Sequence, residues 1–230
     1  MIAVLLGLVL SSCRTSATVS LRADETGAGV VGVDVVLDAD ATKGLGTGKG
    51  QLLTRDLADA GWLVIGIEPS DTGGSKLHAE KAFANPAQAN LVLQELTGPT
   101  GAMSSLKLTR KQTLTGSRLV LSGSVDLREG LGAFGDPNLK ALTGSDSNLG
   151  IDDAEIARQS GGKLTDAFRM RFSARVIDSA KDFDVALGSQ QAISLSANRF
   201  AYEGLAGIAA MIVSLVGLVL LLASIRNRAD

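Results

Sequence analysis

Cysteine, histidine, tryptophan and tyrosine each occur once in 230 residues, and aromatic residues of all kinds make up 3%. The lone Cys13 excludes an internal disulfide and a thiolate metal cluster. With the lone His78 and no free thiol, neither a histidine metal site nor a catalytic triad assembles. An excess of one charge is lacking too: the formal net charge is −2. With Arg226, Arg228 and Asp230 set aside, residues 14–203 carry 20 basic and 23 acidic side chains. No polycationic domain exists, so nucleic acid is not an expected partner. A core must come from Leu, Val, Ile and Ala, and 190 residues suffice for one domain or a small pair.

Two apolar runs are present, and they differ in kind. Residues 204–225 (GLAGIAAMIVSLVGLVLLLASI) carry no charge. A spanning helix needs about 20 such residues at 1.5 Å rise each, so this run is expected to cross a bilayer. Arg226 and Arg228 follow it and Glu203 precedes it. The positive-inside rule then places the tail 226–230 in the cytoplasm and the preceding domain outside. Residues 1–12 (MIAVLLGLVLSS) are too short to span and read as a signal-peptide apolar region. Leu10-Ser11-Ser12-Cys13 has the form of a bacterial lipobox. Small residues admit the peptidase, and the Cys13 thiol takes the diacylglyceryl group. The expectation is a cell-membrane lipoprotein, lipidated at Cys13, single-pass, tethered at both ends to one outer leaflet.

Between the runs, periodicity predicts strands at 17–23, 29–37, 62–68, 76–83, 104–111, 117–127, 165–177 and near 190–197. Helices are predicted at 51–60 and from Pro86. The second has Asn85 as N-cap, Pro86 at N1, Gln88 as a capping-box partner, and Gly98-Pro99 at its end. Residues 129–162 form a long polar loop, a length that marks function or mobility. The expected fold class is α+β, a mostly antiparallel sheet with two helices packed on one face, plus the C-terminal transmembrane helix.

Most local motifs resolve to bland structure. Lys43-Gly-Leu-Gly-Thr-Gly-Lys-Gly50 lacks the first glycine and the hydroxyl of a phosphate loop, and reads as a flexible loop. Asp71-Thr72-Gly73 matches an aspartic-protease triplet, but no second copy supplies the partner carboxylate; it reads as a hairpin turn. Asp152-Asp153-Glu155 fits a helix N-terminus better than a cation site. His78 falls on the polar face of its strand, and Trp62 reads as a packing residue. No catalytic residue, cofactor or metal site is assigned, and the expectation is a non-enzymatic protein.

One constellation carries chemistry. From Gly98 to Val125 there is no Asp or Glu, yet Lys107, Arg110, Lys111 and Arg118 are present. Arg169, Arg171 and Arg175 share one face of a later strand by period two. If the strands are neighbours, these seven side chains form an arginine–lysine surface for phosphate or anionic lipid headgroups. The alternative is an ordinary polar sheet face.

Several segments resemble the LppM-like lipoproteins of mycobacteria and other actinobacteria. They are Cys13-Arg-Thr-Ser-Ala-Thr-Val-Ser-Leu21, Asp59-Ala-Gly-Trp62, Leu106-Lys-Leu-Thr-Arg110, and Leu119-Val-Leu-Ser-Gly-Ser-Val-Asp-Leu127, with the single C-terminal membrane segment. Residues 129–162 are longer than the family pattern. The resemblance implies a domain similar to lipid-binding folds that takes envelope glycolipids such as phosphatidylinositol mannosides, and it supplies no catalytic residue. The expected partners are therefore membrane lipids, including anionic glycolipid, with acyl chains in an apolar groove between helices and sheet. The alternative is a scaffold that docks on another envelope membrane protein.

Overall fold

A computed structural model describes residues 15–39, 42, 57–69, 73–113, 116–130, 133, 168–200 and 211–214. Cys13, the glycine stretch 43–50, Asp71, Thr72 and the acidic cluster at 152–155 lie outside the described residues. So do the 129–162 loop beyond residues 129, 130 and 133 and the segment 204–225 apart from 211–214. Among the described residues no helix is long and apolar enough to cross a membrane.

Nine strands and one long helix are described: β1 Thr15–Ala23, β2 Gly29–Leu37, β3 Leu63–Pro69, β4 Ser75–Phe83, α1 Pro86–Thr97, β5 Lys107–Thr113, β6 Gly116–Asp126, β7 Phe168–Val176, β8 Ser179–Val185 and β9 Gln190–Phe200. They form a six-stranded sheet, β3-β4-β2-β1-β7-β8, and a three-stranded sheet, β5-β6-β9. All neighbours pair antiparallel except β1 and β7, which run parallel. The alternation of β1 and β7 satisfies one buried face in either direction, so sequence pattern leaves their relative direction open.

The inner faces obey period two. Val19 and Leu21 on β1, and Met170, Phe172, Ala174 and Val176 on β7, are buried. So are Leu119, Leu121 and Val125 on β6 and Ile193 and Ala197 on β9. Residues of both sheets join one core cluster, so the polar faces of the two sheets point away from each other. Trp62 belongs to this core, at 4% exposure, as its packing role predicts.

Helix α1 covers β2 and β4 with Ala89, Val92 and Leu93, all buried, and reaches β5. Its ends follow the sequence signals. The Asn85 side chain accepts from Gln88 N at 3.0 Å, Pro86 opens the helix, and Gly98 leaves it at φ 75°. Gln88 reaches back one residue beyond the cap, its Oε1 accepting from Ala84 N at 2.8 Å. Of the helix expected at 51–60, residues 57–59 are helical and the earlier part lies outside the described residues.

Strand β8 is an addition to the sequence reading. Its burial pattern has only Phe183 and Val185 inside, and charged residues crowd its first half. Two buried positions are too few to register as alternation, and β8 exists because β7 offers it a ladder from Met170–Val185 to Val176–Ser179.

Candidate ligand-binding surface

The seven predicted cations do not form one surface. Lys107, Arg110, Lys111 and Arg118 sit on β5 and β6, while Arg169, Arg171 and Arg175 sit on β7 in the other sheet. Because the sheets share one core, the polar faces carrying Lys111 and Arg175 look in opposite directions. The single arginine–lysine face was expected only on condition that these strands are neighbours, and that condition fails.

A different grouping emerges along the strand axis. At one end of the molecule the β1–β2 turn, the β7–β8 turn and the last residues of β9 meet. Glu25 holds the junction. Its carboxylate pairs with Arg199 Nε at 2.9 Å and its carbonyl accepts from Ser117 Oγ at 3.3 Å. Ile177 N donates to Ala23 O at 2.8 Å, tying the end of β7 to the end of β1.

Asp24 sets the β1–β2 turn. Its Oδ1 accepts from Thr26 Oγ1 at 2.6 Å, from Thr26 N at 2.8 Å and from Ala28 N at 3.2 Å. The Thr26 hydroxyl, with backbone N–H groups behind it, holds this carboxyl below the usual carboxylate value. All three bonds fall on Oδ1.

Four of the seven cations gather at this end. Arg175 stands opposite Arg22 in the parallel β1–β7 ladder. Lys111 stands opposite Arg118, which in turn faces Asn198 of β9. Arg110 projects from the other face of β5 and runs beside Gly27 of the β1–β2 turn. Arg22 and Arg199 join the group, and neither was singled out by the sequence. Arg22 does fall on the polar face of β1 by period two, but the strand beside it is set by non-local pairing. The carboxylates at this end are Asp24, Glu25, Asp178 on the β7–β8 turn, and Glu80, which approaches Arg22 at 3.6 Å.

The other three cations are elsewhere. Lys107 faces Ser122, four residues along β5 from Lys111. Arg169 faces Ser16 at the far end of β1. Arg171 is engaged, its Nε donating to Asp184 Oδ1 at 2.8 Å, which raises its pKa further. Lys107, Arg110, Lys111, Arg118, Arg169 and Arg175 make no ion pair among the described residues, whereas Arg171 does.

The cationic end is also where β9 ends. Phe200, the last residue of β9, faces Gly116 and is 62% exposed. Three residues, 201–203, separate it from the apolar run, a span of at most about 11 Å. Thr15 stands at the opposite end of β1, roughly 26 Å from Ala23 at strand rise.

His78 lies on the outer face of the six-stranded sheet, as expected. Its Nδ1 is 2.9 Å from Asp34 and its Nε2 is 3.6 Å from Glu80, within a row that also holds Lys76 and Arg22. Half-exposed surface pairs of this kind contribute little. Among the described residues no group of three or more His, Cys, Asp or Glu is arranged to hold a metal ion.

The expected acyl groove between helix and sheet is not there among the described residues. Leu21, Val31, Phe83, Ala89, Val92 and Leu93 fill that space, each 4% exposed or less. Among the described residues, two surface clefts have volumes of ≈ 270 Å³ and ≈ 290 Å³. Both fall below the usual small-molecule range of roughly 300–1,000 Å³. The first, around Ser105, Ser124 and Gln190, lies at the end of the β6–β9 ladder away from Arg118. It is internally satisfied: Gln190 Nε2 donates to Ser124 Oγ at 2.9 Å, and Arg128 Nε donates to Asp126 at 2.9 and 3.0 Å. The Arg128 guanidinium holds the Asp126 carboxyl below its usual value. The second cleft, between Arg22 and Arg175, belongs to the cationic end.

No family model and no curated protein matches the sequence. Among solved structures, the NMR structure of the Mycobacterium tuberculosis LppM folded domain aligns over 84% of this chain and 93% of that one, at 12% identity and a TM-score of 0.37. A likeness at that level carries no argument about fold or function.

Proposed function

We propose that the protein is a non-enzymatic cell-envelope module, held beside the bilayer by residues 204–225, that binds anionic lipid headgroups at its cationic end. One observation carries this reading. Arg22, Arg110, Lys111, Arg118, Arg175 and Arg199 collect where β9 exits toward the apolar run, although the chain as a whole is net negative. Basic residues beside an anionic leaflet are worth about 1 kcal/mol each, and the exposed apolar ring of Phe200 can bury at the headgroup–acyl boundary. Headgroups are met at the surface, without transfer of acyl chains into the core.

The test is co-sedimentation of residues 14–203 with vesicles. Every residue of the core cluster lies between Val19 and Ala197, so this stretch carries the whole core. Saturable binding to phosphatidylglycerol vesicles, weakened by salt and absent with phosphatidylcholine, is expected. Equal retention by both vesicle types sinks the reading.

One observation favours docking on another envelope membrane protein instead. Leu63 and Ile65, 60% and 47% exposed, present an apolar pair on the outer face of β3. Co-purification in mild detergent of a specific membrane protein, lost in Leu63→Ser/Ile65→Ser, is what that alternative requires.

A further inference from the structure

Arg22 and Arg175 are direct partners across the parallel β1–β7 pair. Strands so paired lie about 4.8 Å apart, and like charges facing one another across a ladder repel. The two guanidiniums border the ≈ 290 Å³ cleft, whose remaining wall is largely apolar: Ala23, Ala28, Val30 and Ile177. Asp24, also on the rim, forms no ion pair with either guanidinium among the described residues, and its Oδ1 is taken by Thr26 and Ala28. Glu80 reaches Arg22 only at 3.6 Å and shares that oxygen with His78 Nε2, also at 3.6 Å. Arg175 has no ion pair among the described residues.

Backbone geometry shapes the same cleft. Ile177 has φ 53°, the one non-glycine residue with positive φ among the described residues. A β-branched side chain is strained there, and strained backbone concentrates at ligand clamps. Its N–H, bonded to Ala23 O at 2.8 Å, holds the Ile177 backbone against the end of β1, where Ile177 lines the cleft. At Gly29 a Cβ has no room against the Arg22 carbonyl, so glycine lets β1 and β2 close beneath the arginines.

We propose that this cleft is a phosphate-binding site. A phosphate accepts bidentate hydrogen bonds from two guanidiniums at once, and the apolar wall takes the carbon skeleton esterified to it. The site rests on, and deepens, the headgroup reading above. Two sources share its chemistry: a lipid phosphate diester, or a free phosphate or phosphomonoester.

The full chain in nanodiscs tests it, by calorimetric titration. In phosphatidylcholine discs, inorganic phosphate is expected to bind saturably. Arg175→Gln should weaken it at least tenfold, and Arg22→Lys should also weaken it, since a lysine cannot form the paired contact. Exchange to phosphatidylglycerol discs should displace phosphate from the wild-type chain if the lipid phosphate is the occupant. Binding that depends on Arg175 but ignores phosphatidylglycerol supports the site with a free phosphate as its ligand, and leaves the headgroup reading to the vesicle test of Lys111 and Arg118. Phosphatidylglycerol engagement that fails in Lys111→Gln/Arg118→Gln and survives Arg22→Gln/Arg175→Gln overturns the site and leaves the headgroup reading standing. Absence of phosphate binding and of any effect of Arg22 or Arg175 on phosphatidylglycerol also overturns it.

Discussion

The Asn90 side chain stands in for a neighbouring strand along β5: its Oδ1 accepts from Leu108 N at 2.7 Å and its Nδ2 donates to Leu108 O at 3.2 Å. Leu108 is at one outside position of the three-stranded sheet order, so its backbone groups face α1 rather than another ladder. One amide thus fastens the helix to the sheet that carries Lys111 and Arg118. Asn90→Leu leaves the Leu108 N–H and C=O without partners. Each unsatisfied buried group costs about 1–3 kcal/mol. Urea denaturation of residues 14–203 should show a loss of at least that size, and an unchanged midpoint contradicts the role.

Position along the strand axis, rather than total charge, should control membrane binding. Lys111→Gln/Arg118→Gln removes two cations from the exit end, worth about 2 kcal/mol, or roughly 30-fold in affinity for anionic vesicles. Lys107→Gln/Arg169→Gln removes the same charge from elsewhere and should change affinity far less. Equal losses in co-sedimentation at fixed salt refute the assignment of the binding end.

The tether expected at Cys13 precedes the described start of β1 at Thr15, and the run expected to span the bilayer follows the described end of β9 at Phe200, beside the other end of β1. A diacyl anchor on Cys13 and a spanning helix at 204–225 hold one leaflet only if the strand axis lies along the membrane. With the helix alone, Ser16 stands roughly 23 Å above the end marked by Ala23. A fluorophore at position 16 should therefore be quenched by bilayer-embedded quenchers in the wild-type chain and released in Cys13→Ser. One at position 198 should be quenched in both. Identical quenching of position 16 with and without Cys13 argues against lipidation there.

The β1–β2 turn should loosen in acid. Asp24 has a folded-state pKa below its unfolded value, chiefly through the Thr26 hydroxyl. Its contribution to stability is present above the unfolded value and is lost as pH falls through the folded one. Hydrogen exchange at Thr26 and Ala28 N–H should accelerate across that acid window, and Asp24→Ala should show the faster exchange at neutral pH. No difference between Asp24→Ala and wild type at pH 7 contradicts the argument.

Local elements were legible where the chain repeats a simple period. The inward sets on β6 and β7, the cap at Asn85 and the positive-φ exit at Gly98 all follow from neighbours within a few residues. The binding surface was legible only as a list of cations. Lys111 and Arg118 are partners because a hairpin joins adjacent strands, which sequence order suggests. Arg22 and Arg175 are partners across a parallel crossover, which nothing in either strand encodes. Lys107, Arg169 and Arg171 obey the same period as their neighbours, yet pairing sends two of them away from the exit end and gives the third to Asp184.

By itself, the sequence determined which face of each strand is buried, because alternation fixes that within a single segment. It also determined that disulfides and thiolate clusters are excluded, because one cysteine cannot build them. Tertiary structure alone decided which cations share an end of the molecule and that, among the described residues, apolar side chains fill the space between α1 and the sheet. Those properties depend on strand order, direction and packing across the core, which arise from contacts between segments distant in the chain.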